Sequence, residues 1–321
     1  MRKLICLLLV LCFFTCFTSC ASEKSETFYS MGAFCSATYV GGASAEKAVR
    51  DTENLISARV VGSDIYKLNH GETVNLPDDI KNLLSLCADV SAFTEGKYDV
   101  FALPLTSLWD FDAEEASVPS AEEIEKALSD SSVKSLEADG EGSKLTSGGI
   151  DLGSAGKGFG CENAVNSLKD SGCKNCIVSV GGSIGVYSEE NKEYKIALRD
   201  PFGSQNDVIG VFKLKNAYVS TSGSYEKCFE KDGILYHHIL DARTGFPYES
   251  DFVSVSVVSE SGALSDILST SCFMLSIIDA QKLLEKYSSE AVFVTKNGDI
   301  IATSGLKDIF SAKDGKAVSF I

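Results

Sequence analysis

Apolar residues recur along the chain with two different periods. Where they lie three or four residues apart, as do Ile80, Leu83, Leu84 and Cys87, they share one face and predict an amphipathic helix. The predicted helices span residues 44–57, 78–94, 121–128, 158–170, 264–275 and 280–287. The third of these follows Ser120 and has Glu123 three residues later, which is the pattern of a capping box.

Segments rich in β-branched and aromatic residues predict strands, mostly in the second half of the chain. These segments are 176–180, 186–188, 194–198, 209–214, 218–222, 234–239 and 252–258. Two more, 291–295 and 300–303, flank Asn297-Gly298, which is typical of a hairpin turn. Mixed helices and antiparallel hairpins predict one α+β domain, with the acidic stretch 110–125 as a surface insertion.

The first twenty residues have a different character. Arg2 and Lys3 precede an apolar run over 4–17, which is the pattern of a secretory signal. Ser19-Cys20 then resembles a bacterial lipobox, in which the chain is cut before the cysteine and the cysteine is lipidated. An uncleaved signal anchor is the alternative. We therefore expect a lipoprotein signal peptide over 1–19, a tether over 20–27 and one domain over 28–321, lipid-anchored to a bacterial membrane and extracytoplasmic.

The charge of the chain limits its partners. The formal net charge is −16. An acidic chain is a poor match for a nucleic-acid backbone, which needs clustered lysine and arginine. A single diphosphate remains possible, because a metal ion and backbone amides suffice to hold it.

The cysteines do not suggest a disulfide framework. Seven follow the predicted lipidation site, and an odd, scattered set lacks the regular pairing of such frameworks. They are Cys35, Cys87, Cys161, Cys173, Cys176, Cys228 and Cys272. Cys173 and Cys176 form one CxxC motif without a second pair, so we predict a loop pair before a strand rather than a redox or metal site.

Two glycine-rich segments suggest close contact between backbone and ligand. Residues 151–160, with the sequence DLGSAGKGFG, lie between a short strand and a helix, where backbone amides can approach a phosphate and Lys157 can neutralise it. Gly181 and Gly182 end another strand and allow similar approach. The alternative for both segments is a tight turn without a ligand. The first lacks the spacing of a P-loop or a Rossmann fingerprint.

Two further segments carry charged groups. Residues 236–247 hold His237, His238, Asp241 and Arg243, a set suited to a charged substrate, although a polar strand end with an Asp–Arg pair is the alternative. On the helix over 264–275, Asp266 and a threonine four residues later share a face. Carboxylate and hydroxyl oxygens suit Mg²⁺, whereas a carboxylate stabilised by the helix dipole is the alternative.

These segments, in this order, resemble the ApbE family of FAD:protein FMN transferases. Residues 151–159 are similar to DLGGIAKGY, 180–183 to AGGD, 238–247 to HIIDPRTGYP and 264–270 to ALADALAT. Shorter matches are Met31-Gly32 to MGT, 97–99 to GxFD and 221–225 to TSGDY. The resemblance extends from about Phe28 to the C-terminus and implies a T-fold-like domain with a mixed or antiparallel sheet and packed helices.

The resemblance also implies a role for each matching residue. Asp266 and Thr270 match side-chain Mg²⁺ ligands, and Gly156 stands where an alanine carbonyl helps hold the metal. Positions implied to contact FAD are Met31, Tyr98, Asp99, Lys157, Gly181, Ser222, Gly223, His238 and Arg243, with Trp109 as an additional aromatic surface. Departures from the family pattern are Ala33 for threonine, Ser183 and Ser224 for acidic residues, Ala242 for proline, and Ser154-Ala155 for Gly-Ile.

The implied reaction cleaves FAD with Mg²⁺, attaches FMN through a phosphoester to a Ser or Thr of an acceptor redox protein, and releases AMP. Lys157 and His238 would orient the phosphates, and Asp241 is a candidate general base that the sequence does not establish. One alternative is an FAD pyrophosphatase that gives FMN and AMP. Another is a non-catalytic FAD-binding lipoprotein, for which a metal pair such as Asp266 and Thr270 would have no purpose.

Overall fold

A computed structural model describes residues 22–132, 135–139 and 142–321 of the chain. The predicted signal peptide and Cys20 lie outside these residues. Among them, the α-helices are α1 (Ala45–Ile56), α2 (Asp64–Asn69), α3 (Asp78–Phe93), α4 (Leu103–Trp109), α5 (Ala121–Ser132), α6 (Gly156–Asp170), α7 (Gly262–Phe273) and α8 (Ile277–Lys286). None of the described helices has the length and apolar character needed to cross a membrane.

The strands of the described residues alternate with these helices in the first half of the chain and dominate the second half. They are β1 (Glu23–Ser30), β2 (Ala33–Val40), β3 (Thr73–Val74), β4 (Ser135–Asp139), β5 (Gly142–Ser147), β6 (Asn175–Val180), β7 (Ser183–Ser188), β8 (Tyr194–Arg199), β9 (Val208–Leu214), β10 (Ala217–Gly223), β11 (Cys228–Lys231), β12 (Ile234–His237), β13 (Phe252–Ser259), β14 (Glu290–Thr295), β15 (Ile300–Ala302), β16 (Phe310–Ala312) and β17 (Val318–Phe320).

One large sheet organises the molecule. Its nine strands have the order β1-β2-β6-β7-β10-β13-β14-β15-β17 and are antiparallel except for the β15–β17 pair. One face packs against α1, α6 and α7 through residues such as Val49, Val165 and Ile267. The opposite face at β7, β10 and β14 is covered by the sheet β16-β9-β8, with Phe212 in the core between them. The prediction of one α+β domain is confirmed.

The two central helices are fixed by capping interactions. Ser261 accepts a hydrogen bond from the N–H of Leu264 and so caps α7, because the first amides of a helix lack partners within it. The Glu162 carboxylate of α6 accepts hydrogen bonds from the Ser261 hydroxyl and from the N–H of Ala263. The start of α7 is thereby attached to the side of α6.

Most strongly patterned elements are confirmed, with shifted ends. The hairpin around Asn297-Gly298 forms, and α7 begins at Gly262 rather than 264. The strand predicted over 234–239 ends at His237. The prediction for the CxxC motif is half right: Cys173 precedes the strand, whereas Cys176 lies within β6, and both thiols are buried and free.

Some of the sequence predictions are wrong or incomplete. Residues 23–27, predicted as part of a polar tether, belong to β1, which pairs with β2 over its whole length. The acidic stretch predicted as an insertion over 110–125 already includes the start of α5 at Ala121. The short helices α2 and α4 and the strands β3, β4 and β5 were not predicted, because each is too short to show a clear period.

Candidate active site

The centre of the candidate site is the crossing of α6 and α7. A Cβ atom at Gly158 would collide with the carbonyl oxygen of Gly262 and lie 2.6 Å from the Cβ of Asp266, so only glycine permits this approach. The N–H of Gly158 donates a 2.8 Å hydrogen bond to Oδ2 of Asp266. Asp266 is 3% exposed. The close crossing thus buries a carboxylate at the N-terminal end of α6, where the helix dipole favours negative charge.

The loop before α6 is held in shape by its own polar groups. Asp151 accepts hydrogen bonds from the N–H of Gly153 and from the hydroxyl of Thr106. The ammonium of Lys157 donates to the carbonyl of Gly153 at 2.9 Å. The Lys157 side chain passes over Gly181, where Cδ lies 3.2 Å from the position of a Cβ atom. Lys157 and Gly181, which the sequence predicts as contacts to FAD, therefore lie together.

The turn between β1 and β2 closes the site on another side. Met31 has a φ of 54°, and its N–H donates to the Glu53 carboxylate at 2.8 Å, which stabilises this left-handed backbone. Its methyl carbon lies 3.6 Å from the position that a Cβ atom would take at Gly156, where Ile56 is closer still at 2.9 Å. Ile56 thus explains a glycine at the first residue of α6, where the family pattern has alanine.

Hydroxyl groups continue the site from α7 to β10. Ser222 Oγ lies 2.9 Å from Thr270 Oγ1 and 2.7 Å from Ser269 Oγ. The Ser220 hydroxyl donates to Ser183 and lies 2.8 Å from Ser265. Ser183, which stands where the family pattern has an acid, therefore belongs to a buried chain of neutral hydroxyls. Gly223 ends β10 next to Ser222, with Tyr225 against it.

His238 carries a buried polar atom that the described residues leave without a partner. Its Nδ1 atom has no hydrogen bond among them. Burial, together with the nearby positive charges of Lys157 and Lys227, lowers the pKa of His238 to about 4. The ring is therefore neutral at pH 7 and has an atom available to a ligand, because buried polar groups in proteins normally have a partner.

Asp241 is engaged rather than free. The Arg243 guanidinium donates to both of its carboxylate oxygens, at 3.0 Å and 2.8 Å, and the N–H of Arg243 adds a third hydrogen bond. Since a carboxylate in a two-point ion pair is a poor proton acceptor, the structure argues against Asp241 as general base. Its role is to orient Arg243.

Arg243 and Asp99 line the same open groove. The groove has a volume of about 490 Å³ and is also lined by Gly96, Ala102 and Ala242. The N–H of Ala242 donates to the carbonyl of Lys97, which joins the two segments. The structure therefore brings together two of the predicted FAD contacts that lie far apart in the sequence.

The two predicted aromatic contacts are buried instead. Tyr98 is 1% exposed, and its hydroxyl accepts a hydrogen bond from Ser154 and donates to Cys87. The Tyr98 hydroxyl thereby supports the glycine-rich loop at Ser154. Trp109 is also 1% exposed, and its Nε1–H donates to the carbonyl of Gly245 at 2.7 Å. The prediction that Trp109 offers a stacking surface is wrong, because its ring fills the core between α4 and α5.

The oxygen atoms around Asp266 fit a hard metal ion. Among the described residues its hydrogen bond engages Oδ2, and Thr270 lies one helical turn away on the same side of α7. No group of three His, Cys, Asp or Glu side chains in the described residues could enclose a metal by itself. One carboxylate with substrate phosphates is a usual arrangement for Mg²⁺, which keeps few protein ligands.

Sequence reasoning missed the residues that position the site. Glu53 and Glu162 act by accepting backbone N–H groups at Met31 and Ala263, and nothing in a helical pattern distinguishes them from surface glutamates. Gly262 was also missed. Its place at the start of a helix indicates close packing, but the partner helix lies about a hundred residues earlier and is visible only in the fold.

Comparisons with known proteins concern the whole chain and its fold. The chain is 28% identical over 279 residues to a protein of Klebsiella pneumoniae named FAD:protein FMN transferase, covering 83% of this chain and 85% of that one. The solved structure of the flavinyl transferase ApbE of Pseudomonas stutzeri in its apo form superposes with a TM-score of 0.72 at 26% identity, over 90% of this chain and 96% of that one. The ApbE protein of Thermotoga maritima gives 0.76 at 26% identity, over 90% and 99%. The ApbE family model matches residues 31–293, and the chain belongs to the ApbE family.

Proposed function

We propose that this protein is an Mg²⁺-dependent FAD:protein FMN transferase. The observation that carries the proposal is the buried carboxylate of Asp266 at the N-terminal end of α6, hydrogen-bonded to the residue after Lys157. The charge of Lys157 also acts on His238, whose Nδ1 atom has no partner among the described residues. Such a cluster suits a diphosphate with a metal ion. The name carried by the Klebsiella relative supports the same activity.

The residues that would hold Mg²⁺ are Asp266 and Thr270 through their side chains and Gly156 through its carbonyl. All three supply hard oxygen atoms, which Mg²⁺ prefers. A bound Mg²⁺ would neutralise negative charge on the diphosphate and on the AMP phosphate as it leaves.

The residues of the chain itself bind and orient the substrates. Lys157 holds phosphate oxygens at the N-terminal end of α6, where the helix dipole favours negative charge, and the neutral ring of His238 contributes a hydrogen bond. Arg243, oriented by Asp241, offers its guanidinium in the groove with Asp99. The hydroxyl of a Ser or Thr on the acceptor protein attacks the FMN phosphorus, the bond to the bridging oxygen breaks, and AMP leaves.

The chemistry around the diphosphate favours a transferase over a pyrophosphatase. A hydrolase must activate water, and the two candidate bases are poor ones: Asp241 is held by Arg243, and the low pKa of His238 makes its ring a weak base. A transferase needs water excluded until the acceptor arrives. A protein that only binds FAD would not need the buried Asp266.

We also propose that the protein is lipid-anchored through Cys20 on the extracytoplasmic side of a bacterial membrane, where it would meet acceptor redox proteins. Diacylation is expected, because a single acyl chain binds membranes only marginally. Mass spectrometry of the native protein should show a modified Cys20, and Cys20→Ala should move the protein out of the membrane fraction. An unmodified Cys20 in the native protein would contradict this part of the proposal.

The function is tested with the purified chain, FAD, Mg²⁺ and a candidate acceptor domain that carries a flavinylation Ser or Thr. The intact mass of the acceptor should increase by one FMN, and a chelator or an alanine at the acceptor hydroxyl should abolish the increase. FMN and AMP formation without a mass change would establish a pyrophosphatase. FAD binding without AMP would establish a binding protein.

A further inference from the structure

An uncovered aromatic pair lies on the β1–β2 hairpin. Tyr29 is 57% exposed and Phe34 is 80% exposed. They are direct cross-strand partners, and their rings meet edge to face with centroids 5.5 Å apart. Two adjacent exposed aromatic rings are unusual on the surface of a soluble protein, and aromatic residues are enriched at the centres of protein interfaces.

The pair belongs to a sheet face that nothing in the described chain covers. Behind the hairpin, Phe28 and Cys35 are buried against the helices, whereas the other face of β1 and β2 is open. Further along the same sheet, β7, β10 and β14 are covered by the sheet β16-β9-β8. The open face is therefore confined to the β1 edge of the large sheet.

The aromatic pair adjoins the candidate active site. The carbonyl of Phe34 accepts a hydrogen bond from the N–H of Gly181 at 3.1 Å. The preceding residue, Ala33, has its Cβ 3.0 Å from the position that a Cβ atom would take at Gly181, and the Lys157 side chain lies 3.2 Å from the same position. Phe34 therefore lies at the same end of the sheet as Gly181 and Lys157.

The open face carries no charge beside the pair. The next two pairs along this face are hydroxyls, since Thr27 pairs with Ser36 and Ser25 pairs with Thr38, and the charge of Glu23 lies only at the far end of β1, opposite Val40. In a chain with a net charge of −16, such a neutral region does not repel an acidic protein. Neutral hydroxyls around an aromatic pair are suited to a polypeptide segment, with apolar contact at the rings and polar contact around them.

We propose that the surface formed by Tyr29 and Phe34 docks the segment of the acceptor protein that carries the hydroxyl to be flavinylated. This inference rests on the proposed function and identifies where its protein substrate binds. The continuity of Phe34 with Gly181 and Lys157 places the acceptor beside the proposed position of the FAD diphosphate, where its hydroxyl must attack. The membrane is a poorer occupant, because Tyr29 lies on the order of 20 Å along β1 from Glu23, and Glu23 is the end of β1 that is nearer in sequence to the proposed anchor residue Cys20.

The test is Phe34→Ala, with Tyr29→Ala/Phe34→Ala as the stronger variant and Phe34→Tyr as the conservative one. The control is Phe320→Ala, which removes an exposed ring from β17 at the opposite edge of the same sheet. The probe is the acceptor domain that the wild-type chain labels in the mass assay. The measurements are kcat/KM for the acceptor, the Kd for FAD, and AMP release without acceptor.

Phe34→Ala should lower kcat/KM for the acceptor by about tenfold or more, as truncation of an aromatic interface residue commonly does. The Kd for FAD, the acceptor-free AMP rate and the thermal unfolding temperature should not change, and Phe34→Tyr and Phe320→Ala should resemble the wild type. The double variant should have a lower kcat/KM for the acceptor than Phe34→Ala.

Three results would overturn the inference while leaving the proposed function intact. One is unchanged acceptor kinetics in the double variant. A second is weaker FAD binding in Phe34→Ala, which would assign the ring to the flavin site. A third is a wild-type dimer that becomes monomeric in Phe34→Ala, which would assign the face to a second copy of the chain. A wild-type chain that labels no acceptor would instead overturn the proposed function, and this inference with it.

Discussion

The α6–α7 crossing and the aromatic cluster around Trp109 use buried groups in opposite ways. At the crossing, Gly158 and Gly262 let two helices approach so closely that a carboxylate is buried against the Gly158 amide. The Nδ1 atom of His238 has no hydrogen-bond partner among the described residues. In the aromatic cluster, Trp109 packs against Phe111 and Tyr236, and its single polar atom is paired with the carbonyl of Gly245.

The difference shows which kind of burial indicates a ligand. Large aromatic side chains are buried in cores by default, so an aromatic residue near a motif is not by itself a sign of contact with a flavin. Burying a carboxylate, or an imidazole nitrogen that lacks a hydrogen-bond partner, costs free energy of folding. Asp266 and His238 are therefore informative, whereas Trp109 stabilises the fold.

The largest effect is expected from Asp266→Asn. The amide keeps the size of the side chain and an oxygen for the Gly158 N–H, but it removes the charge that the site offers a metal. Mg²⁺-dependent AMP release should fall by at least about a hundredfold, since even the outer partners of metal ligands are worth 10- to 100-fold. Asp299→Asn in the exposed β14–β15 turn is the control. A wild-type rate in Asp266→Asn would remove this residue from the mechanism.

Gly158→Ala should affect both stability and activity. The added methyl group would collide with backbone of α7, so the helices must separate, at a cost of about 1–3 kcal/mol in the free energy of unfolding. The matched control is Gly160→Ala in the same helix, where the new methyl group meets only the flexible end of Met31. Thermal unfolding measures the loss of stability in each variant, and AMP release measures the loss of activity. Equal losses in both variants would mean that the crossing is not unusually tight.

The pH dependence of stability should reflect the two neighbouring histidines. Burial lowers the pKa of His237 and of His238 to about 4. Between their ordinary value of about 6.5 and pH 4 the unfolded chain binds protons that the folded chain does not, so stability is complete above about pH 6.5 and is lost as pH falls. Each histidine should lower the free energy of unfolding by about 2 kcal/mol between pH 7 and pH 5.

Denaturant unfolding at pH 7 and pH 5 measures this loss. His238→Gln removes one titrating group and should reduce the loss by roughly half. The same substitution at exposed His70 should leave it unchanged. An equal pH sensitivity in His238→Gln and the wild type would show that the ring is not buried in its neutral form.

The smallest effect on activity is expected from Trp109→Phe. The substitution keeps most of the ring packing but leaves the Gly245 carbonyl without its hydrogen bond, which should lower the free energy of unfolding by about 1–3 kcal/mol. AMP release at saturating FAD should stay within about twofold of the wild type. A large change in the Kd for FAD with unchanged stability would show that Trp109 contributes to FAD binding after all.

The sequence predicts elements whose signal is local. The helix α3 shows its apolar stripe within a single window, and the hairpin at Asn297-Gly298 is determined by two adjacent residues. The order of the motifs likewise identifies Lys157 and Asp266 as candidate site residues without any knowledge of distance.

What the sequence does not reveal depends on contacts between distant segments. The strand β1 is polar over most of its length, and only its pairing with β2 distinguishes it from a tether. The buried state of Trp109 and Tyr98 depends on helices elsewhere in the chain, and the sequence leaves open whether Asp241 pairs with Arg243 or faces a substrate. None of these follows from residue type and spacing.

The most direct measurement compares AMP release from FAD and Mg²⁺ with and without an acceptor domain, together with covalent flavin fluorescence of the acceptor on a denaturing gel. Because Asp241 is held by Arg243 and burial makes His238 a weak base, we predict slow AMP release by the protein alone. We predict much faster release with the acceptor, accompanied by a fluorescent acceptor band. Equal AMP rates in the two reactions, with no fluorescent band, would contradict the account and establish a pyrophosphatase.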